Sequence, residues 1–171
     1  MSMFINSLGI KIAERPVLYY ILIFTWGLPL TLLGLLLTIF LLPFGKIRRY
    51  NYIYYIELNT NGRWGFAMGN MFVVSHPNTS LMVKSHEFGH TVQNAILGPL
   101  MILLVAIPSV VRFHYRAWYR KKHAFHPLKV KMPAYDSIWF EHSANIIGNN
   151  SISLRELEKK PYIARGGTKT P

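Results

Sequence analysis

The five residues His86-Glu87-Phe88-Gly89-His90 carry the clearest chemical signal in the sequence. If they lie on a helix, His86 and His90 are one turn apart on the same face, so both imidazoles can bind one metal ion. Glu87 points about 100° away around the helix, where its carboxylate can reach a water molecule beside the metal rather than the metal itself. The pattern predicts a divalent metal site with Glu87 as the catalytic base.

A catalytic zinc ion uses three protein ligands and keeps one position open, so a third ligand must come from another segment. We expect Glu141, which lies in a second predicted helix among aromatic and apolar residues, where an unpaired carboxylate would be costly. His142 is the rival ligand, and Glu141 could instead pair with one of the many basic side chains. Asn145 lies one turn after Glu141 and could hydrogen-bond a ligand histidine.

Several further polar side chains are candidates for assisting a reaction at this site. Tyr135 leads the candidates for stabilising the oxyanion of a tetrahedral intermediate, because it is close to Glu141 in the sequence. The other candidates are three histidines, His114, His123 and His126. Gln93 lies near the histidine face, but a surface or packing role is expected for it.

Two helices are predicted to present the ligands. The first runs from about Ser80 to Leu97, where Gly98-Pro99 is a strong stop signal. The second runs from Ser137 to Ile147, capped by Ser137 or the preceding Asp136, and a Gly-Asn-Asn sequence ends it. Each predicted helix thus begins at a polar residue whose side chain can accept a hydrogen bond from a free N–H group of the first turn.

The segment before the first of these helices has the pattern of β-structure. Tyr52 to Leu58 and Trp64 to Ser75 are predicted as two strands of a β-hairpin, joined by the turn Asn59-Thr60-Asn61-Gly62. The edge of the second strand is a candidate for holding a substrate backbone by strand addition, with an ordinary core strand as the alternative. The fold class predicted from these elements is α+β and mainly helical.

The composition favours contact with lipid. Apolar residues make up 51% of the chain and charged residues only 15%, below the roughly 25% usual in soluble domains. Val17 to Leu42 contains no charged residue and is long enough as a helix to cross the ~30 Å hydrocarbon core. Gly27, Pro29 and Gly34 predict a kink near Trp26–Pro29. This segment is predicted to be a transmembrane anchor, either as one span or as a hairpin.

The later apolar segment, Leu100 to Val111, is too short to cross a bilayer and is predicted to be buried, re-entrant or interfacial. A crossing there would also put His86 and Glu141 on opposite sides of the membrane, which a shared metal site forbids. The following segment, Arg112 to Lys131, is basic and aromatic. Next to apolar segments this pattern favours anchoring at lipid headgroups over nucleic-acid binding.

These segments divide the chain into three parts: residues 1–45 with the membrane anchor at about 17–42, a catalytic domain over 46–150 with a membrane-associated apolar segment at 98–111, and a polar tail over 151–171. The chain has 19 Lys and Arg against 7 Asp and Glu. Most of the basic residues follow the anchor, which predicts a protein of the cell membrane with its catalytic domain on the cytoplasmic face. The absence of cysteine excludes disulfide scaffolds, thiolate metal sites and cysteine nucleophiles.

The stretch from His86 to Ser109, HEFGHTVQNAILGPLMILLVAIPS, resembles small bacterial membrane-associated metallopeptidases with an HEYGH–Q–LGPL–PS signature. A second block of that family is similar to six residues here, namely Tyr135, Phe140, Glu141, Ala144, Asn145 and Gly148. Its amino-terminal apolar segment is similar at Trp26, Pro29 and Gly34. The resemblance covers most of residues 17 to 148.

The resemblance implies a gluzincin-like zinc site, in which a downstream glutamate joins the two histidines. It also implies a minimal zincin-like core of a β-hairpin, the motif helix and a glutamate-bearing helix. Gluzincins commonly have Asp four residues after the glutamate ligand, whereas this chain has Asn145. We therefore expect a membrane-bound zinc metalloprotease that acts on a peptide or a membrane protein and binds no nucleic acid. The alternatives are a non-catalytic metal-binding membrane protein or assembly factor, and a zinc hydrolase of lipids or amides.

Overall fold

The computed structural model describes residues 2–62, 64–122 and 137–152. Over these ranges the fold is α+β and mostly helical, as predicted, with six α-helices and one four-stranded sheet. The helices are α1 (Ser2–Ala13), α2 (Pro16–Phe24), α3 (Leu28–Leu41), α4 (Leu81–Leu97), α5 (Ile107–Lys122) and α6 (Trp139–Asn150). The strands are β1 (Gly45–Tyr50), β2 (Ile53–Leu58), β3 (Gly65–Met68) and β4 (Met71–Val74).

The sheet has the strand order β1-β2-β4-β3, so β3 lies at one edge. The predicted hairpin between residues 52–58 and 64–75 is wrong, because the second segment folds back on itself as the antiparallel pair β3–β4. The turn passes through Gly69, whose φ of +63° is readily adopted only by glycine. As a result β2 pairs with β4 in parallel and with β1 in an antiparallel hairpin.

Helix α4 has an apolar face that packs in the core and, opposite it, a face that carries the two histidines. Phe88, Val92 and Ala95 are fully buried in the main hydrophobic core, together with residues of α1, α2, α6 and the sheet. His86 and His90 lie two positions away from Phe88 and Val92, which is about 200° around the helix. The apolar face therefore fixes the rotation of α4 and with it the direction of both histidines.

The α4 boundaries agree with the sequence-based prediction, since Ser80 accepts a hydrogen bond from the Val83 N–H and Gly98 ends the helix. The predicted end of α6 is wrong, because the helix continues through Gly148 to Asn150. The predicted cap Asp136 lies outside the described residues. The predicted start at Ser137 is wrong, because α6 begins at Trp139 and the preceding residue, Ile138, makes no side-chain cap hydrogen bond.

Helices α4 and α6 cross with almost no space between their backbones. A Cβ atom at Gly89 would overlap the backbone of Ala144, and a Cβ atom at Gly148 would overlap the carbonyl of Ser85. This contact explains why a glycine at position 148 does not stop α6: it faces a neighbouring helix rather than a C-terminal turn. The crossing brings the first turn of α6 next to the histidine face of α4.

The predicted anchor, residues 17–42, forms two helices instead of one. The bend between them is 92°, at the kink position that the sequence predicts. Within the described ranges no single helix has the length and apolar composition that a bilayer crossing requires, and only the pair Pro16–Phe24 and Leu28–Phe44 meets the requirement jointly. The bend is held by Trp26, whose indole N–H donates to the Ile96 carbonyl near the end of α4 at 3.2 Å.

The later apolar segment, residues 100–111, contains a π-helical turn, Ile102–Ala106, and the beginning of α5. The first turn of α5 carries Ser109 back towards α6. Irregular helical turns of this kind are frequent at functional sites.

Replacing Gly89 or Gly148 with Ala should destabilise the protein by about 3 kcal/mol, because the new methyl group meets backbone that cannot move without separating the helices. Thermal unfolding of the purified variants would measure the loss. Gly9→Ala on α1 is the matched control, since its Cβ meets only side-chain atoms, those of Ile147 and Ile96. We expect a smaller loss there, because side chains can shift where a backbone cannot. Equal stability of all three variants would contradict the close crossing.

Candidate metal centre

Helices α4 and α6 bring three ligand atoms together. The Nε2 atoms of His86 and His90 are 3.1 Å apart. The Oε2 atom of Glu141 lies 3.1 Å from the first and 3.3 Å from the second. These three residues could hold a metal ion.

The size of this triangle fits a tetrahedral metal site. With metal–ligand bonds of about 2.0–2.1 Å, two ligands of a tetrahedral zinc ion lie about 3.3 Å from each other. The three observed separations of 3.1, 3.1 and 3.3 Å are close to that value. The side chains are therefore arranged for coordination with little further movement.

Two amide side chains orient the imidazoles so that the Nε2 atoms face Glu141. Asn145 Oδ1 lies 2.8 Å from His86 Nδ1, and Gln93 Oε1 lies 2.8 Å from His90 Nδ1. An amide oxygen can only accept, so each Nδ1 carries a hydrogen and Nε2 is the nitrogen left to bind a metal ion. Gln93 is itself fixed, because its Nε2 donates to the Phe140 carbonyl at 2.7 Å.

The charges at the site favour a bound cation. Burial raises the pKa of Glu141, but hydrogen bonds from His86 and His90 and their charges outweigh it and hold this pKa well below its usual range. Burial lowers the pKa of His86, yet Glu141, the charge of Glu87 and Asn145 together raise it above the ordinary value. Without a metal, the carboxylate thus favours a proton on His86, and a divalent cation would take the place of that proton.

Glu87 is buried beside the histidines, against the edge strand β3. A Cβ atom at Gly65 would overlap the Glu87 side chain, so glycine is what lets the strand approach the carboxylate. Burial raises the pKa of Glu87, while His90 and His86 oppose that shift in part. A carboxylate with a raised pKa is a better proton acceptor, which suits a general base.

Two clefts adjoin the ligand triangle. The apolar cleft has a volume of about 320 Å³ and is lined by residues that include Leu30, Phe66, Met101, Ile102, Val105 and Val110. The basic cleft has a volume of about 560 Å³ and is lined by residues that include Trp64, Met82, Phe113, Arg116 and Arg120. Gly65, His86 and Glu87 line both clefts, so the two meet beside the ligand atoms.

The structure separates the two candidates for the third ligand. Glu141 is buried and faces the histidines, whereas His142 is exposed. Asn145 contacts His86 as expected. Tyr135, and with it His123 and His126, lies outside the described residues. His114 is exposed on α5, where its ring contacts Phe113.

Two residues of the site were not predicted in their observed roles. Gln93 is fully buried and fixes His90, where a surface or packing role was expected; its position seven residues after His86 places it on the histidine face and could have indicated this. Ser109 donates its hydroxyl hydrogen to Glu141 Oε1 at 2.9 Å. Nothing in the local sequence signals that contact, because the two residues are 32 positions apart.

Comparison of the chain with family models, with curated proteins and with solved structures found no match. The geometry of the site is therefore the basis for a functional proposal.

Purified protein loaded with a divalent ion should bind one ion per chain. His86→Ala, His90→Ala and Glu141→Ala should each lose it, because two remaining ligands hold a metal too weakly to survive desalting. The measurement is metal stoichiometry by mass spectrometry after gel filtration. His142→Ala is the matched control, since this neighbour of Glu141 is exposed. Loss of metal from His142→Ala with retention in Glu141→Ala would overturn the ligand assignment.

Proposed function

We propose that the protein is a membrane-associated zinc metalloprotease that hydrolyses peptide bonds. The observation that carries the proposal is the triangle of two imidazole nitrogens and one carboxylate oxygen, with a second buried carboxylate, Glu87, beside it. Two histidines and one glutamate form a donor set that catalytic zinc sites use. The convergence of a base and a cleft on that set favours catalysis over a purely structural metal site.

Zinc, when bound, supplies a Lewis acid that lowers the pKa of an adjacent water molecule towards ~7 and polarises a carbonyl group. Glu87 then accepts a proton from the attacking water at its carboxylate and afterwards delivers it to the leaving amine nitrogen. Asn145 and Gln93 keep the imidazoles oriented throughout, because each holds an Nδ1–H.

The edge strand β3 supports a peptide as the substrate. It pairs with β4 on one side only, and its first residue, Gly65, packs against Glu87. An extended peptide that adds to this edge would place its carbonyl groups close to the base and the metal ligands. A peptide bound by strand addition is held through its backbone hydrogen bonds, so peptides of many sequences can bind.

The exposed surface of α3 supports action at a membrane. Leu36, Ile39 and Phe40 are more than 60% exposed, and further apolar residues of α2 and α3 are exposed next to them. Contiguous exposed apolar residues are costly in water and mark contact surfaces. Helix α5 adds basic and aromatic residues, with Lys122 Nζ lying 5.0 Å from the centre of the Trp118 ring, a composition suited to lipid headgroups.

Glu87→Gln should bind zinc as the unaltered protein does but lose 10²- to 10⁴-fold in hydrolysis, roughly the contribution of a general base. Cleavage of fluorescein-labelled casein by the zinc-loaded protein in detergent would measure this. Glu14→Gln, an exposed glutamate on the turn after α1, is the control and should keep full activity. Full turnover in Glu87→Gln would remove the proposed base.

The same cleavage assay distinguishes a zinc protease from the alternative, a metal-binding protein without catalytic activity. A zinc-loaded wild type that cleaves neither casein nor peptides, while chelation still lowers its melting temperature, would support the non-catalytic reading.

A double substitution Leu36→Glu and Ile39→Glu should weaken membrane binding more than tenfold, because a buried acidic charge opposes insertion by about 2–3 kcal/mol. Flotation with phosphatidylcholine–phosphatidylglycerol vesicles would measure the bound fraction. Met3→Glu, at an exposed methionine outside the α2–α3 pair, should float like the wild type. Unchanged flotation of the double variant would contradict membrane contact through α3.

A further inference from the structure

The apolar cleft shares its lining with the proposed reaction centre. That lining includes the proposed base and all three proposed metal ligands, Glu87, His86, His90 and Glu141. Among the described residues that line the cleft, these four are the only ones with ionisable side chains, and all the others except Ser109 are apolar. The volume of about 320 Å³ is at the lower end of the range for sites that bind small molecules or single side chains.

One wall of the apolar cleft is the segment that runs from the π-helical turn into α5. It contributes five residues at the spacing of one helix face, namely Ile102, Val105, Ala106, Ser109 and Val110. Ala106 has the smallest apolar side chain of the five. It lies one turn, about 4.5 Å along the axis, before Ser109, which donates to Glu141. A larger side chain at position 106 would therefore narrow the cleft close to the metal ligands.

Strand β3 leads a bound peptide along the same cleft. Phe66 to Met68 line it, and Gly65, the first residue of the strand, packs against Glu87. Side chains of an extended peptide alternate between its two faces. Of the two substrate residues nearest Gly65, one therefore directs its side chain towards the cleft, next to the bond that lies closest to the base.

The exposed part of the cleft lining is apolar as well. Leu33 on α3 and Val110 on α5 line the cleft and are about half exposed. Leu36 on α3 and Val111 on α5 continue the exposed apolar surface on each helix, and α3 is the helix for which membrane contact is proposed. An apolar side chain can thus reach the cleft over apolar surface, and it gains free energy by being buried there.

We propose that the apolar cleft binds an aliphatic or aromatic side chain of the substrate residue next to the cleaved bond, and that Ala106 limits the size of the side chain that fits. This inference rests on the proposed protease function and adds its substrate class, peptide segments with a large apolar residue at the cleavage site. Ala106 is a specificity-determining residue and takes no part in proton transfer.

The test uses the full-length, zinc-loaded protein with a mixed-sequence peptide library, whose products are sequenced by mass spectrometry. The wild type should enrich Leu, Met or Phe at one position next to the cleaved bond. The Ala106→Phe variant should lose these residues from that position and enrich Gly or Ala, because the added ring clashes with a large substrate side chain. Ala117→Phe is the matched control, an exposed alanine of α5 outside the lining of either cleft, and should keep the wild-type preference.

Two fluorogenic peptides that differ only by Leu or Ala at the enriched position give the magnitude. The wild type should prefer the Leu peptide by at least about tenfold in kcat/KM, since a single methylene group in an apolar pocket already gives about that ratio. Ala106→Phe should abolish or reverse the preference, and Ala117→Phe should keep it.

A second variant, Ile102→Ala, tests the cleft in the opposite direction. It removes a partly exposed side chain from the cleft lining and makes room, so the ratio of kcat/KM for a Trp peptide to that for the Leu peptide should rise. This variant decides the question if Ala106→Phe fails to fold, which loss of its zinc would reveal. An unchanged Trp-to-Leu ratio would then overturn the role of the cleft.

The role of the cleft and the protease function fail in different ways. Cleavage without an apolar preference next to the bond, or a preference that a folded Ala106→Phe variant retains, overturns the role of the cleft and leaves the protease intact. A zinc-loaded wild type that cleaves no library peptide overturns the protease function, and the substrate class with it.

Discussion

The backbone contact between α4 and α6 is the constraint on which the site depends. Gly89 and Gly148 let the two helices touch at two points, with Gly89 against Ala144 and Gly148 against Ser85. Ser85 adds a hydrogen bond to Asn149 at the same crossing, with 3.2 Å between the two oxygens. The ligand atoms are already within 3.3 Å of one another, so a wider crossing would withdraw Glu141 by the same amount and leave the histidines without their third partner.

The site concentrates buried ionisable groups at one point. A buried carboxylate and two imidazole lone pairs point at one spot, and this repulsion is relieved only by a proton or a cation. The hydrogen bonds that the two Nδ1–H groups donate to Asn145 and Gln93 strengthen the arrangement, because they prevent the imidazole rings from turning over. Binding energy from a metal would therefore also stabilise the fold that brings α4 and α6 together.

The parts that the sequence predicts well are those that a short stretch of chain determines. The motif helix, its cap and its stop are local, and Glu141 stands out as a carboxylate in an apolar stretch. The sheet order could not be predicted in the same way, because pairing of β2 with β4 follows from the left-handed backbone at Gly69 and from its contact with α3. Gln93 and Ser109 acquire their roles from partners on other helices, and Gly148 resembles a stop signal until the neighbouring backbone is known.

The hydroxyl of Ser109 has a consequence for how many coordination positions remain. It donates to Oε1 of Glu141, while Oε2 faces the two imidazoles. With its second oxygen engaged in this way, the carboxylate would bind a metal through one atom rather than two. His86, His90 and Glu141 would then fill three positions of a tetrahedral ion and leave the fourth open, so a single serine on α5 would help to distinguish a reactive centre from a closed, purely structural one.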